Sequence, residues 1–166
     1  MVSTLCSGDV CQCSERPCHK EKDTFGPLKL EKKDRFEHAC YSPTVDYGFI
    51  VQVISMSVKS NFELYTTNVA KVLRATGDVK LEESKVRVFA KRLQCKGQLE
   101  TGKTYLIMGK DGSTTDSNGQ MQYLLESNTW IEQVPNEKKC QGSKNRPTCK
   151  KFKDFVSEYM LNGCTQ

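Results

Sequence analysis

The chain has 166 residues, which suits one domain that buries about two-thirds of the surface its unfolded chain would expose. Its net charge is +5, from 25 Lys and Arg against 20 Asp and Glu, which excludes a strongly acidic or strongly basic protein. No apolar run approaches the roughly 18 residues of a transmembrane helix, so membrane insertion is not expected. Nine cysteines exceed ordinary cytosolic usage and indicate an oxidising, extracellular compartment.

The N-terminal region has the composition of an irregular arm. Residues 1–27 are rich in Cys, Ser and charged residues and contain Pro17, Gly26 and Pro27, which interrupt regular structure. The first six residues, MVSTLC, lack the basic and apolar regions of a signal peptide. We therefore expect a piece of a larger secreted precursor, with a disulfide-rich arm over 1–27 and one domain over 28–166.

Residue periodicity predicts a mainly β domain with flanking helices. Residues 28–39, LKLEKKDRFEHA, have the pattern of a short helix. Apolar residues alternate along 45–58, and a change of phase predicts a bulge near Ser55 of one long strand. Turn signals such as Asp111-Gly112 and Asn118-Gly119 divide further strands. These strands are predicted at 62–73, 85–93, 103–109, 121–127 and 129–134.

The last segment changes to a helical period. Apolar residues recur there at helical spacing, and Gly163 can adopt the left-handed conformation that ends a helix. We predict a helix over 149–161 that packs on an antiparallel barrel or sandwich. Seven aromatic residues are expected in the core: Phe152, Phe155, Tyr159, Tyr47, Phe49, Tyr105 and Tyr123.

The residues that commonly carry catalysis do not form a recognisable set. His19 and His38 are the only histidines, and both lie beside cysteines that are expected to pair. No nucleophile elbow, HExxH motif or phosphate-binding loop is present, so we predict no enzymatic activity. The cysteine spacing of residues 6–18, CSGDVCQCSERPC, is a poor zinc pattern. Residues 110–120 fit no EF-hand register, which favours a hairpin turn.

A cluster of positive charge lies near the C-terminus. Residues 137–153 contain one acidic residue, Glu137, and seven basic residues: Lys138, Lys139, Lys144, Arg146, Lys150, Lys151 and Lys153. Such a patch favours an acidic partner, although a solvated loop and helix face is an equally ordinary origin. The aromatic residues fit a core better than a base-stacking surface, so nucleic acid is not expected as a ligand.

Five stretches together resemble a known family. They are CSGDVCQCSERPC, HACYSPTVDYGFIVQV, TGKTYLIMGKDG, QYLLESNTWIEQVP and KFKDFVSEYMLNGC. In order and spacing they are similar to the C-terminal netrin-like domain of the third, fourth and fifth complement components, and most similar to the fourth-component branch. The resemblance implies a five-stranded barrel of the oligonucleotide-binding type with terminal helices, in a protein secreted into plasma.

The same resemblance implies a disulfide scheme. It pairs Cys6 with Cys11, Cys18 with Cys95, Cys40 with Cys164, and Cys140 with Cys149. Cys13 is left over, and the resemblance implies that it bonds to a cysteine in the remainder of the parent chain. Loop entropy gives about 4–5 kcal/mol for the long Cys40–Cys164 loop and under about 3 kcal/mol for Cys140–Cys149.

The resemblance also implies a docking function without an intrinsic cofactor. The tail Thr165-Gln166 would present the terminal carboxylate of Gln166 to a Mg²⁺ ion held by complement component two, in assembly of the classical and lectin pathway convertase. The basic residues Lys138, Lys139, Lys144, Arg146, Lys150 and Lys151 are a second candidate contact, for that zymogen or for the activating serine protease. The alternatives are an inhibitor resembling the tissue inhibitors of metalloproteinases, suggested by Cys11-Gln12-Cys13, and a purely structural cap.

Overall fold

A computed structural model describes residues 18–26, 30–40, 45–75, 85–109, 114–115 and 121–164. Its strands are β1 (Lys20–Lys22), β2 (Tyr47–Lys59), β3 (Phe62–Ala75), β4 (Val86–Arg92), β5 (Thr104–Gly109), β6 (Thr114–Thr115), β7 (Met121–Leu124) and β8 (Trp130–Gln133). Its helices are α1 (Lys32–Cys40), α2 (Glu137–Cys140) and α3 (Arg146–Asn162).

All eight strands belong to one sheet, in the order β1-β8-β5-β2-β3-β4-β7-β6. The β1–β8 and β4–β7 pairs are parallel and the others are antiparallel. In a flat sheet β2 and β7 would lie about 14 Å apart, because β3 and β4 separate them. The rings of Tyr47 on β2 and Tyr123 on β7 nevertheless lie 4.4 Å apart. The sheet is therefore strongly curled around its inner face.

The predicted strands and their bulge agree with the structure. Each predicted run contains one observed strand, and the pairing of β2 with β3 shifts register between Val53 and Ser55. A mainly β domain with flanking helices is thus confirmed. The predicted five-stranded barrel is not confirmed, because the described sheet has eight strands and is open, with β1 and β6 at its two ends.

Helix boundaries differ from the predictions for local reasons. Helix α1 begins at Lys32, later than predicted, because the Asp34 carboxylate accepts the Glu31 N–H at 2.8 Å and fixes the N-terminus there. Helix α3 begins at Arg146, earlier than predicted, because Pro147 is tolerated in a first turn whose N–H groups need no partner. Helix α2 and strands β1 and β6 were not predicted from the sequence, and β1 lies within the predicted arm.

Each face of the sheet has its own core. The inner face packs the aromatic residues of β2, β3, β4, β5 and β7 against one another, including Tyr47, Phe49 and Tyr123. The outer face packs Ile50, Leu106, Met108 and Trp130 against α1 and α3. The seven aromatic residues predicted to be internal are all buried. Helix α3 therefore presents its apolar stripe to the outer face of the sheet.

A buried ion pair joins the helices to the sheet. Arg35 on α1 donates from Nε and Nη2 to the Glu132 carboxylate on β8, at 2.9 and 2.6 Å. Both side chains are fully buried. Trp130 Nε1 and the Thr24 hydroxyl also donate to this carboxylate, and the guanidinium lies 5.3 Å from the centre of the Phe152 ring on α3. One carboxylate thus holds α1 and the segment after β1 to β8.

Substituting Arg35 should destabilise the domain far more than substituting an exposed cation on the same helix. Arg35→Met leaves the Glu132 charge buried without its ionic partner, and we expect a loss of about 3–5 kcal/mol of unfolding free energy by urea denaturation. The matched control is Lys32→Met, since Lys32 forms an exposed pair with Glu158 and should cost under about 1 kcal/mol. Adding Glu132→Leu to Arg35→Met should recover part of the loss, since it removes the unpaired charge but also the acceptor of Trp130 Nε1 and the Thr24 hydroxyl. Equal effects of the two single variants would contradict the assigned role of the pair.

Candidate functional site

The basic loop, residues 140–149, is closed by a disulfide between buried cysteines. Cys140 ends α2 and Cys149 lies in the first turns of α3, with their Cα atoms 5.8 Å apart. Asn136 caps α2 by accepting the Lys138 N–H at 2.8 Å. Within the loop, Asn145 Nδ2 donates to the Lys139 carbonyl at 3.1 Å. These contacts hold the start of α3 beside α2 and give the loop a fixed shape.

Three of the six predicted contact residues are engaged within the domain. Lys150 pairs with Asp154 at 2.7 Å, and Lys151 pairs with Glu31 at 2.9 Å. Lys139 Nζ lies 4.3 Å from the centre of the Phe25 ring. Two of the positive charges are therefore partly balanced by carboxylates, although such exposed pairs remain open to solvent and salt.

The other three residues form what we term the free cation group: Lys138, Lys144 and Arg146. All three are exposed, and within the described part of the chain none of them makes an ion pair. Arg146 Nη2 donates to the Gln141 carbonyl at 3.1 Å, which orients the guanidinium across the loop. Positive charge available to a partner is thus concentrated on the disulfide-closed loop and on α2.

A cleft of 330 Å³ opens beside the basic loop, between α3 and the sheet. Ile50, Phe152 and Val156 contribute apolar side chains to its lining, which also includes Lys71. Lys153 and Glu137 line it too and pair with each other at 3.4 Å. Glu137 directly precedes Lys138 in the chain, so the cleft lies near one member of the free cation group.

The attachment point of the tail lies at the other end of α3. Gly163 has a φ of +60° and donates its N–H to the Tyr159 carbonyl at 2.8 Å, which ends the helix. Cys164 follows at once and is bonded to Cys40 at the end of α1. Thr165 and Gln166 lie outside the described residues, so only their anchor is described. Helix α3 has 17 residues, which separates the basic loop from this anchor by about 24 Å.

Three disulfides lie within the described residues: Cys18–Cys95, Cys40–Cys164 and Cys140–Cys149. They are the pairs that the sequence resemblance implies. Cys6, Cys11 and Cys13 are outside the described residues. The Cys18–Cys95 bond fastens the chain just before β1 to the turn after β4, so the end of the predicted arm is part of the folded domain.

A second buried polar cluster lies beside the Cys18–Cys95 bond. Lys91 pairs with Glu63 at 3.2 Å and donates to the Cys95 carbonyl, while the Tyr65 hydroxyl donates to Glu63 at 2.6 Å. Burial alone would raise the pKa of Glu63, but hydrogen bonds from Tyr65, Lys91 and Gln98 hold it below its ordinary value. Burial and the bond to Glu63 raise the pKa of Tyr65. The charges of Lys91 and Glu63 contribute to the fold, because their partners lie within the domain.

His19 is not an exposed residue of either site. Its side chain is buried, and its Nδ1 atom has no hydrogen-bond partner among the described residues. Burial lowers its pKa, and the nearby positive charge of Lys91 lowers it further. His38 on α1 lies with Nε2 3.3 Å from the Met108 carbonyl. The two histidines considered as catalytic bases are thus parts of packed regions on different elements.

Neither a metal centre nor a membrane helix is found in the described ranges. No group of three or more His, Cys, Asp and Glu side chains there is placed to hold a metal ion. Likewise, none of the described helices is long and apolar enough to cross a membrane. Within residues 110–120, predicted as a hairpin turn, Thr114–Thr115 form strand β6, which pairs antiparallel with β7. The flanking strands β5 and β7 do not pair with each other, so 110–120 is not a simple turn between them.

A curled sheet flanked by helices and fastened by disulfides defines a small stapled β module. The chain belongs to the netrin-like family, because the family described as "NTR: UNC-6/NTR/C345C module" matches residues 37–147. It is 31% identical over 166 residues to Complement C3 of Lethenteron camtschaticum, and 27% identical over 169 residues to A.superbus venom factor 2 of Austrelaps superbus. Each alignment covers 99% of this chain and 10% of the relative. The chain thus spans about a tenth of the length of these curated relatives.

Stability should decline below neutral pH in a way that depends on His19. The native pKa of His19 lies below that of the unfolded chain, about 6.5, so acid protonates the unfolded state first and favours it. Urea unfolding between pH 7.5 and 5 should show a smaller loss of unfolding free energy for His19→Gln than for the unchanged protein. The carboxylates titrate alike in both proteins, so the difference in slope reports His19. An equal dependence of the unfolding free energy on pH in the two proteins would contradict the role assigned to His19.

Proposed function

We propose that this chain is a non-catalytic docking domain of a secreted complement protein of the component three, four and five family. The family match and the Complement C3 relative support membership of that group. The motifs ACYSPTVDYGF, YLIMGKDG and QYLLESNTWIE place it, in our proposal, in the fourth-component branch.

As part of this proposal, the curled sheet is a barrel of the oligonucleotide-binding type. Its central strands β2, β3, β4 and β5 would supply four barrel strands. The fifth would be divided into β7, which pairs with β4, and β8, which pairs with β5. The ring contact between Tyr47 and Tyr123 across the inner face supports this arrangement. Its role here is to hold the helices and termini as a rigid support.

The carboxylate of Gln166 is the proposed contact with complement component two. It would coordinate a Mg²⁺ ion held by that zymogen, and carboxylate oxygens are ligands that Mg²⁺ accepts. The observation that carries this proposal is the anchoring of Cys164 to Cys40, two residues before the chain's last residue. A tail tethered so closely to a packed core loses little conformational freedom on binding.

The free cation group is the proposed contact with the activating serine protease. Lys138, Lys144 and Arg146 carry positive charge that no described carboxylate pairs with, so an acidic surface of the protease would be attracted. Exposed charges of this kind act mainly on the association rate and are screened by salt. Cys13 is proposed to bond to the remainder of the parent chain and to fix how this surface is presented.

Binding to component two should require both magnesium and the position of the terminal carboxylate. A chain lacking Thr165 and Gln166 should lose the magnesium-dependent binding seen by surface plasmon resonance, because its carboxylate no longer reaches the ion. The matched control is Gln166→Ala, which keeps the carboxylate and should bind as the unchanged chain does. Equal binding of the truncated and unchanged chains, or magnesium-dependent loss in the control, would reject this docking mode.

Reversing the free cation group should slow association with the activating protease. We expect Lys138→Glu, Lys144→Glu and Arg146→Glu together to lower the association rate about tenfold at low salt, with a smaller effect at high salt. Reversal of Lys139, Lys150 and Lys151 makes the same change in net charge at engaged residues and should act more weakly. Stopped-flow measurement at two salt concentrations distinguishes the variants. Identical rates for both triple variants would show that net charge alone matters.

A further inference from the structure

In the described part of the chain, the second half of β2 is paired on one side only. β5 pairs with β2 only as far as Gln52, and Val53 then exchanges hydrogen bonds with Lys103 and Gly102 at 3.0 and 2.8 Å. Beyond that point β2 continues to Lys59, paired on one side with β3. On its other side, residues 54–59 have no strand partner among the described residues. A row of backbone donors and acceptors is thus available there.

Apolar side chains accompany this edge. Met56 and Val58 lie opposite Tyr65 and Glu63 in the register, so both point to the inner face of the sheet. They project beyond the core, however, and are 40% and 59% exposed. Ile54, at the bulge, is 51% exposed. The edge therefore offers both backbone groups and apolar surface.

Devices that usually protect an exposed edge are few in this stretch. Natural edge strands carry charged residues or proline, or are very short. Residues 53–58, VISMSV, contain no charge and no proline, and the bulge lies at their start. Lys59 is the first charged residue of the strand. The alternation of apolar residues with serine along residues 53–58 is typical of a strand that pairs on both sides.

We propose that this edge is a strand-pairing site for a second copy of the chain. Antiparallel pairing about a two-fold axis at Met56 places Met56 opposite its own copy and Ile54 opposite Val58. Apolar residues then face apolar residues. The paired stretch is neutral, so two identical edges do not repel each other. Lys59 lies away from the centre of the paired stretch.

The resulting dimer is weak and forms only at high concentration. A strip of five residues buries much less surface than the roughly 1,200–2,000 Å² of a standard stable interface. Strand addition compensates in part, because each new backbone hydrogen bond satisfies a group at the edge of both copies. Two copies joined in this way share one continuous sheet that runs from one domain into the other.

Sedimentation velocity of the full 166-residue chain tests the proposal. A Cys13→Ser background prevents a disulfide-linked dimer from being counted. The weight-average mass should rise by half or more between about 10 µM and about 1 mM, the range in which a contact this small saturates. Met56→Lys or Val58→Lys should keep the chain monomeric throughout. The control Met160→Lys alters a methionine that is 49% exposed on α3 and should dimerise like the background.

Hydrogen exchange distinguishes edge pairing from any other self-association. Those amides of residues 54–58 that face the open edge should exchange at least tenfold more slowly at the high concentration than at the low one, and Met56→Lys should abolish that difference. Circular dichroism of both lysine variants checks that they remain folded, and the two edge variants serve as independent tests. A background protein that stays monomeric at 1 mM, equal loss of dimer in Met160→Lys, or a mass increase without protection of the edge would each overturn the proposal.

Discussion

The buried pair between Arg35 and Glu132 is the constraint on which the arrangement of the domain depends. Glu132 lies on β8, which pairs with β1, and Arg35 lies on α1. A buried charge is tolerated only where its partner is held in place, so the register of β8 and the position of α1 determine each other. Through Cys40, the position of α1 in turn fixes the last turn of α3. The anchor of the tail is therefore set by a charge pair on the outer face of the sheet.

The sequence was sufficient for the periodic parts of the fold and insufficient for the rest. Alternation along β2 and the helical spacing in α3 are local patterns, and they predicted those elements, the bulge near Ser55 and the buried aromatic residues. Arg35 gave no such signal, because an arginine in a helix rich in lysine and glutamate is ordinarily a surface residue. Its partner is 97 residues away, and no spacing rule reaches that far. Strand β1 was missed because three residues, KEK, have no apolar pattern.

The candidate contact residues were likewise only partly predictable from the sequence. Charge counting located the basic residues correctly in the chain, yet it could not separate Lys150 and Lys151, which pair with Asp154 and Glu31, from Lys144, which pairs with no described residue. Glu31 lies on a distant part of the chain, so only the folded structure reveals that pairing. The predicted helix over 149–161 did place the basic loop and the tail anchor at opposite ends of one helix, as α3 shows. The two contacts of the proposed function, the tail and the basic loop, are therefore expected on separate parts of the domain.

Helix α3 is cross-linked at both of its ends. Cys149 ties its first turns to α2, and Cys164, just past Gly163, ties its end to α1. Helix termini normally fray because their last backbone groups lack intrahelical partners. Here neither end can unwind far without dragging a neighbouring helix from the outer core. Partial opening of α3 is therefore suppressed under oxidising conditions. A reducing environment would remove both restraints and leave α3 held to the sheet by the packing of its apolar side chains.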